Sequence, residues 1–176
     1  METKEPTVAQ LLSTDTDWQT PLMPTGVPFV SRSATTETWE FAGTSVKPLA
    51  TSRETHGEFA LLDVTMQRCL DLPPHLHHNE SETFYLLEGA MRFEVGNEVI
   101  EAGPGDAVHL PRGLRHACHV VSGQARALLL ITPGGGEQYY RELSKPERGM
   151  IAPGLRATPD RATLQAVASK FGVQQF

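Results

Sequence analysis

Basic residues are scarce in this chain: 15 Lys and Arg stand against 21 Asp and Glu, for a formal net charge of −6 over 176 residues. That shortage argues against a nucleic-acid partner or an anionic-membrane surface, since both need a basic patch. Arg112 and Arg115 are a small local exception. Long apolar runs are also missing. None approaches the roughly 18 residues that a membrane span needs, so no membrane partner is expected. Cysteine is rare, represented by Cys69 and Cys118. Both sit in apolar, strand-like surroundings and are expected to be reduced; a Cys69–Cys118 disulfide is the less favoured reading. Met1-Glu2-Thr3-Lys4-Glu5-Pro6 lacks the charged-then-apolar layout of a signal peptide, and the cytoplasm is the expected location.

What is present is turn chemistry between short apolar stretches. The 15 glycines and 13 prolines suit many strands joined by tight turns. Residues 1–36 are irregular, with a short helix expected over 7–12, and Pro21, Pro24 and Pro28 interrupt helix and central strand alike. They are read as an arm that packs on the body of the protein or on a partner subunit. Residues 37–133 read as β. In residues 59–66, Ala60, Leu62, Val64 and Met66 share one face. Met91, Phe93 and Val95 alternate with Arg92 and Glu94. Gly96-Asn97 is a hairpin turn with Gly first. Residues 107–110 and 125–131 complete the series. Residues 134–176 change character to a helical extension. A helix is expected over 137–143, and a second begins with Thr158 as N-cap and Pro159 at the first helical position. Leu164, Val167, Ala168 and Phe171 form its apolar stripe, and Gly172 stops it.

The chemistry-bearing residues are concentrated. His75 and His77 are two apart, so on a strand they point to one side. Glu82 follows a short polar turn, and His116 adds a third imidazole. Three histidines and a carboxylate suit one divalent transition metal: Fe, Mn, Co, Ni, Cu or Zn. Four protein donors leave a position open, as a catalytic site requires. His78 points away from His77 and reads as a surface residue. His109 and His119 read as packed or exposed side chains, with an orienting role for His109 as the alternative, and His56 lies in a polar turn.

The order His75-x-His77-x4-Glu82-x6-Gly89, followed by Gly105-x5-Pro111-x-Gly113-x2-His116, resembles the two signature motifs of the cupin superfamily. Two positions depart from the pattern. Cys69 stands where the first motif begins with Gly, and Val120 where the second ends with Asn. The resemblance implies an all-β cupin fold, a double-stranded β-helix or jelly-roll barrel, here with a short N-terminal arm and a C-terminal helix. It implies the metal ligands His75, His77, Glu82 and His116.

The Pro-Pro-His-x-His-His entry and the Gly-Gly-Gly-Glu-Gln-Tyr-Tyr stretch further resemble single-domain quercetin 2,3-dioxygenase-like cupins. That implies a dioxygenase acting on a flavonol or similar enolisable aromatic ketone, with Glu82 as both ligand and base. Two other readings stand beside it. One is a non-oxidative isomerase or cyclase of a small carbonyl or polyketide metabolite, with the metal as Lewis acid. The other is a non-catalytic small-molecule-binding cupin. In every case the partner is a small molecule. Phe84 and Leu86 share parity with Glu82, and with Met91, Phe93, Val108, Leu110, Leu128 and Leu130 they are the candidate pocket lining. Plain core packing accounts for the same alternation. A homodimer is expected, because an open sandwich leaves edge strands to cover.

Overall fold

Alternating apolar and polar residues force most of this chain into strands that bury one face. The computed structural model describes residues 26–68, 73–144, 150–152, 155–156 and 160–176. The helix expected over 7–12, Cys69, Thr158 and Pro159 lie outside these residues. Residues 26–36 carry no strand or helix, and Val27, Phe29 and Val30 are exposed.

Six strands form one antiparallel sheet: β1 (Trp39–Phe41), β2 (Thr44–Ala50), β3 (Ala60–Gln67), β5 (Ser81–Glu88), β8 (Ala107–Leu110) and β10 (Gln124–Thr132), in the order β1-β2-β3-β10-β5-β8. Five form the other: β4 (His75–His77), β6 (Met91–Val95), β7 (Glu98–Ala102), β9 (His116–Val120) and β13 (Val173–Gln175), in the order β13-β4-β9-β6-β7. A small ribbon joins β11 (Met150–Ala152) to β12 (Leu155–Arg156). The two large sheets share no strand. The fold is therefore an antiparallel β-sandwich, and the expected barrel is not closed by hydrogen bonds among the described residues.

The core lies between the sheets. Ala60, Leu62 and Val64 are buried as the alternation requires. Asp63, on the opposite parity, is also covered, because Arg126 forms two hydrogen bonds to its carboxylate at 2.9 and 2.8 Å. Leu86, Met91, Phe93, Val108 and Leu110 are all at most 4% exposed. Strand β10 corrects one expectation. Ala125, Ala127, Leu129 and Ile131 face the core, while Leu128 and Leu130 are half-buried on the outer face. The unbroken apolar run Ala127-Leu128-Leu129-Leu130-Ile131 hides its own parity. Only pairing settles it, with Leu129 opposite Leu62 and Ile131 opposite Ala60. Leu129→Ala is accordingly expected to cost about 2–5 kcal/mol of stability. Leu128→Ala should cost about 1 kcal/mol or less, as for a site outside the core. Urea unfolding of both variants checks the order; a reversed order would place the wrong face inward.

Two helices outside the two motifs flank the sandwich, and the second leads into a strand that pairs with the one carrying His75 and His77. Helix α1 (Glu137–Leu143) packs on β1. Helix α2 (Arg161–Lys170) is capped by Asp160, whose side chain accepts from Thr163 N–H at 2.7 Å. The start is thus later than the expected cap at Thr158, because Asp160 is the residue in extended conformation. Leu164, Val167 and Ala168 are buried, and Gly172 ends the helix at φ +70°. The chain then returns as β13, unforeseen in the sequence, and pairs Val173 with His77 and Gln175 with His75. Strand β4 is therefore not an edge.

Candidate metal centre

His75 and His77 stand on β4, and His116 stands on β9 directly opposite His75. Glu82 comes from β5 in the other sheet, so residues 78–80 carry the chain across the sandwich. All four side chains are buried, at 8% exposure or less. Their donor atoms lie within 4.8 Å of one another. Donors about 2.1 Å from a shared ion stand roughly 3–4 Å apart, so the cluster fits one ion with small adjustment. Gly113 N–H donates to the His77 carbonyl at 2.7 Å, which ties the turn of the second motif to the strand of the first. Gly89 has its own reason. Its φ is +77°, and a Cβ there would overlap the Gln124 carbonyl.

The hydrogen bonds on the far side of each imidazole decide what the near side offers. His75 Nδ1 lies 2.8 Å from the Pro73 carbonyl and His116 Nδ1 3.0 Å from the Leu114 carbonyl. A carbonyl can only accept, so Nδ1 holds the proton in both, and Nε2 presents a lone pair to the interior. His77 Nδ1 is 2.8 Å from Glu80 Oε1, with the same effect. His77 Nε2 and His116 Nε2 are buried without a hydrogen-bond partner. Buried polar atoms are rarely left without a partner, and two partnerless nitrogens aimed at one carboxylate are the donor set an ion would use. Outer partners that fix the tautomer are the usual support of metal-binding histidines.

The electrostatics agree. Burial pulls the His75 pKa down to about 4, against the attraction of Glu82. Burial likewise lowers His116. Burial opposes protonation of His77 too, yet Glu82 and Glu80 together raise it. For Glu82, burial works upward, but His77, His75, His116 and the Tyr140 hydroxyl outweigh it and hold the carboxyl below its usual range. The centre thus holds an ionised carboxylate among imidazoles whose Nε2 atoms are aimed at it. Glu82 Oε1 lies 3.7 Å from His77 Nε2, and Oε2 lies 3.8 Å from His116 Nε2.

A cavity of about 60 Å³ opens onto His75 and Glu82. Its walls are Phe41, Val64, Met66, Phe84, Cys118, Val120, Leu129 and Tyr140, with Thr44 and Gln67 also lining it. Of the candidate pocket residues, Phe84 lines it. Leu86, Met91, Phe93, Val108 and Leu110 are core residues away from the cavity, and Leu128 and Leu130 are on the outer face. Val120, at the position where the second motif has Asn, gives the cavity an apolar wall. His78 and His109 are exposed, His109 bonded to Thr83 Oγ1 at 2.9 Å. His119 lies 3.8 Å from Glu94. Sequence reasoning passed over Glu80 and Tyr140. Glu80 is buried beside His77; its proximity to His77 in the chain was the available signal.

Helix α1 comes close to Glu80. A Cβ on Gly136 would stand 2.8 Å from Glu80 Oε1, while the Gly136 backbone, at φ −61° and ψ −23°, suits any residue. Gly136→Ala is expected to push Glu80 from His77 and weaken metal affinity about tenfold, the lower end for loss of an outer partner. Competition against a chromogenic chelator measures it; unchanged affinity would show that Glu80 yields without cost.

The comparisons with known proteins fit this architecture. A family model described as a cupin domain matches residues 64–132. In sequence, the chain is 30% identical over 105 residues to a quercetin 2,3-dioxygenase of Bacillus subtilis (strain 168), a match covering 60% of this chain and 31% of that relative. The chain therefore spans about a third of that protein. Among solved structures, KdgF from Halomonas sp. superposes with TM-score 0.57 at 18% identity, covering 64% of this chain and 99% of that one. A predicted oxalate decarboxylase of Thermotoga maritima gives TM-score 0.55 at 17% identity, covering 60% and 99%. With both motifs converging inside one antiparallel sandwich, residues 64–132, the span that the family model matches, form a cupin domain.

Proposed function

We propose that this chain is a metal-dependent dioxygenase of the quercetinase type, acting on a flavonol or a similar enolisable aromatic ketone. The observation that carries the reading is the junction of the His75–His77–Glu82–His116 cluster with an apolar cavity. His75, His77, His116 and Glu82 would hold the ion. When bound, it supplies charge stabilisation for an enolate oxygen and a redox partner for dioxygen.

The chain's own residues do the rest. Glu82 is ionised and borders the cavity, so it can take the proton of a substrate hydroxyl. Phe41, Phe84, Val64 and Leu129 form apolar walls that suit a flat aromatic ring. A cavity of about 60 Å³ holds a few waters. That volume takes in the enol end of a flavonol and leaves the remaining rings outside it. The likeness to the Bacillus subtilis quercetin 2,3-dioxygenase supports the oxidative reading.

The same small volume favours a second reading, a non-oxidative isomerase or cyclase of a compact carbonyl compound. Oxygen uptake separates the two. Protein purified without chelator and loaded in turn with Fe, Mn, Co, Ni and Cu is given quercetin in an oxygen electrode. Metal-dependent uptake supports the dioxygenase. None with any metal, at full loading, removes it.

We also propose a homodimer, since β7 is an edge strand that exposes Val99 at 60% and Ile100 at 38%. Light scattering at the mass of one chain would reject it.

A further inference from the structure

We propose that Tyr140, on the helix after the last strand of the six-stranded sheet, is a positioning residue that makes Glu82 a one-oxygen ligand. This rests on the reading that Glu82 binds the ion. Tyr140 donates its hydroxyl hydrogen to Glu82 Oε1 at 3.1 Å. Both oxygens face imidazoles, Oε1 at 3.7 Å from His77 Nε2 and Oε2 at 3.8 Å from His116 Nε2, so the Tyr140 hydroxyl is what makes them unequal. A carboxylate can give an ion one oxygen or both, and the two modes differ in charge distribution and in open positions. With one lone pair of Oε1 occupied, the carboxylate cannot turn freely, and Oε2 is the oxygen offered to the ion.

The hydroxyl is held firmly enough for this role. Helix α1 is anchored at its start by Glu137, which is fully buried. One Glu137 oxygen accepts from Ser52 N–H at 2.9 Å and Ser52 Oγ at 2.6 Å, and the other accepts from Gly135 N–H at 2.6 Å. The Tyr140 ring packs against Phe41 with centroids 5.9 Å apart and against Tyr139 at 5.6 Å. Helix, ring and hydroxyl thus have one arrangement, set by contacts outside both metal motifs.

The test uses Co(II) as probe, with no substrate. Tyr140→Phe keeps the ring and removes the hydroxyl. Tyr139→Phe removes a neighbouring buried hydroxyl that does not touch Glu82, and serves as the control. At full loading, Y140F is expected to change the position and intensity of the Co(II) visible bands and to weaken Co(II) binding about tenfold; Y139F should match the unsubstituted protein. Unchanged Y140F bands overturn the proposal, even if affinity falls, because a loosened site with the same ligand would behave so. Equal changes in Y139F also overturn it.

A measurement on the unsubstituted protein does not depend on either variant folding. The infrared splitting of the Glu82 carboxylate bands, assigned by Glu82→Gln, is wide for one-oxygen binding and narrow for two; a narrow splitting overturns the proposal. These readouts stay informative even if quercetin is never consumed, so failure of the dioxygenase reading and failure of this one are distinct.

Discussion

His116→Ala is expected to abolish stoichiometric metal binding and leave the chain folded. The imidazole contributes one of four converging donors. Losing an outer partner of such a ligand costs roughly 10- to 100-fold in affinity, and losing the ligand itself should cost more. The folding cost is expected to be small in the metal-free chain. His116 Nε2 is buried and unpartnered, and an orphaned polar group of this kind costs about 1–3 kcal/mol. Alanine removes that penalty along with some packing. His77→Ala should lose the metal equally but be less stable, because it strands the buried Glu80 carboxylate that now bonds His77 Nδ1. Elemental analysis gives metal per chain, and circular dichroism with thermal melting gives the fold. Full metal retention in both variants would sink the ligand assignment. Loss of metal together with loss of fold in His116→Ala would make the site structural.

His75 and His77 were legible because their geometry is local, and Glu82 and His116 because their spacing resembles the two cupin motifs. A two-residue spacing places His75 and His77 on one side of a strand whatever surrounds them. The turns at Gly89 and Gly113 require positive φ, which the glycines announce. Strand β10 was different. Five consecutive apolar residues carry no parity, and the choice between Leu128 and Leu129 depends on β3, more than 60 positions away in sequence. The cavity wall is less legible still. Phe41 and Tyr140 come from opposite ends of the chain and meet through helix α1 packing on β1. Tyr140 falls within the helix expected over 137–143, and nothing local distinguishes a tyrosine that packs from one that also bonds a carboxylate. Strand β13 was invisible for a related reason. Val173-Gln174-Gln175 is weakly apolar, and it is a strand because β4 offers it an open edge.

Glu82→Gln is the change that separates holding the ion from moving a proton. The amide matches the carboxylate in shape, keeps an oxygen that can face the ion, and can still accept from Tyr140 (3.1 Å from Oε1 in the present chain). It loses the negative charge and the basic lone pairs. Metal is therefore expected to bind more weakly but to reach full loading when supplied in excess. Turnover should fall about 10²- to 10⁴-fold, the usual contribution of a positioned general base. The pH dependence gives the second signature. In the unsubstituted protein burial works upward on the Glu82 carboxyl, but three imidazoles and the Tyr140 hydroxyl hold it below its ordinary pKa, so on the proposed reading the carboxylate is available as base throughout the neutral range. In Glu82→Gln the substrate must arrive already ionised. The residual rate should then climb as pH rises toward the pKa of the substrate hydroxyl, while the unsubstituted enzyme changes little over that interval. Steady-state rates on the metal-loaded variant across pH 6 to 9 decide the matter. Undiminished turnover at full loading removes Glu82 as the base. A large loss with no recovery at high pH would show instead that the negative charge beside the ion, and not the proton transfer, is what the reaction needs.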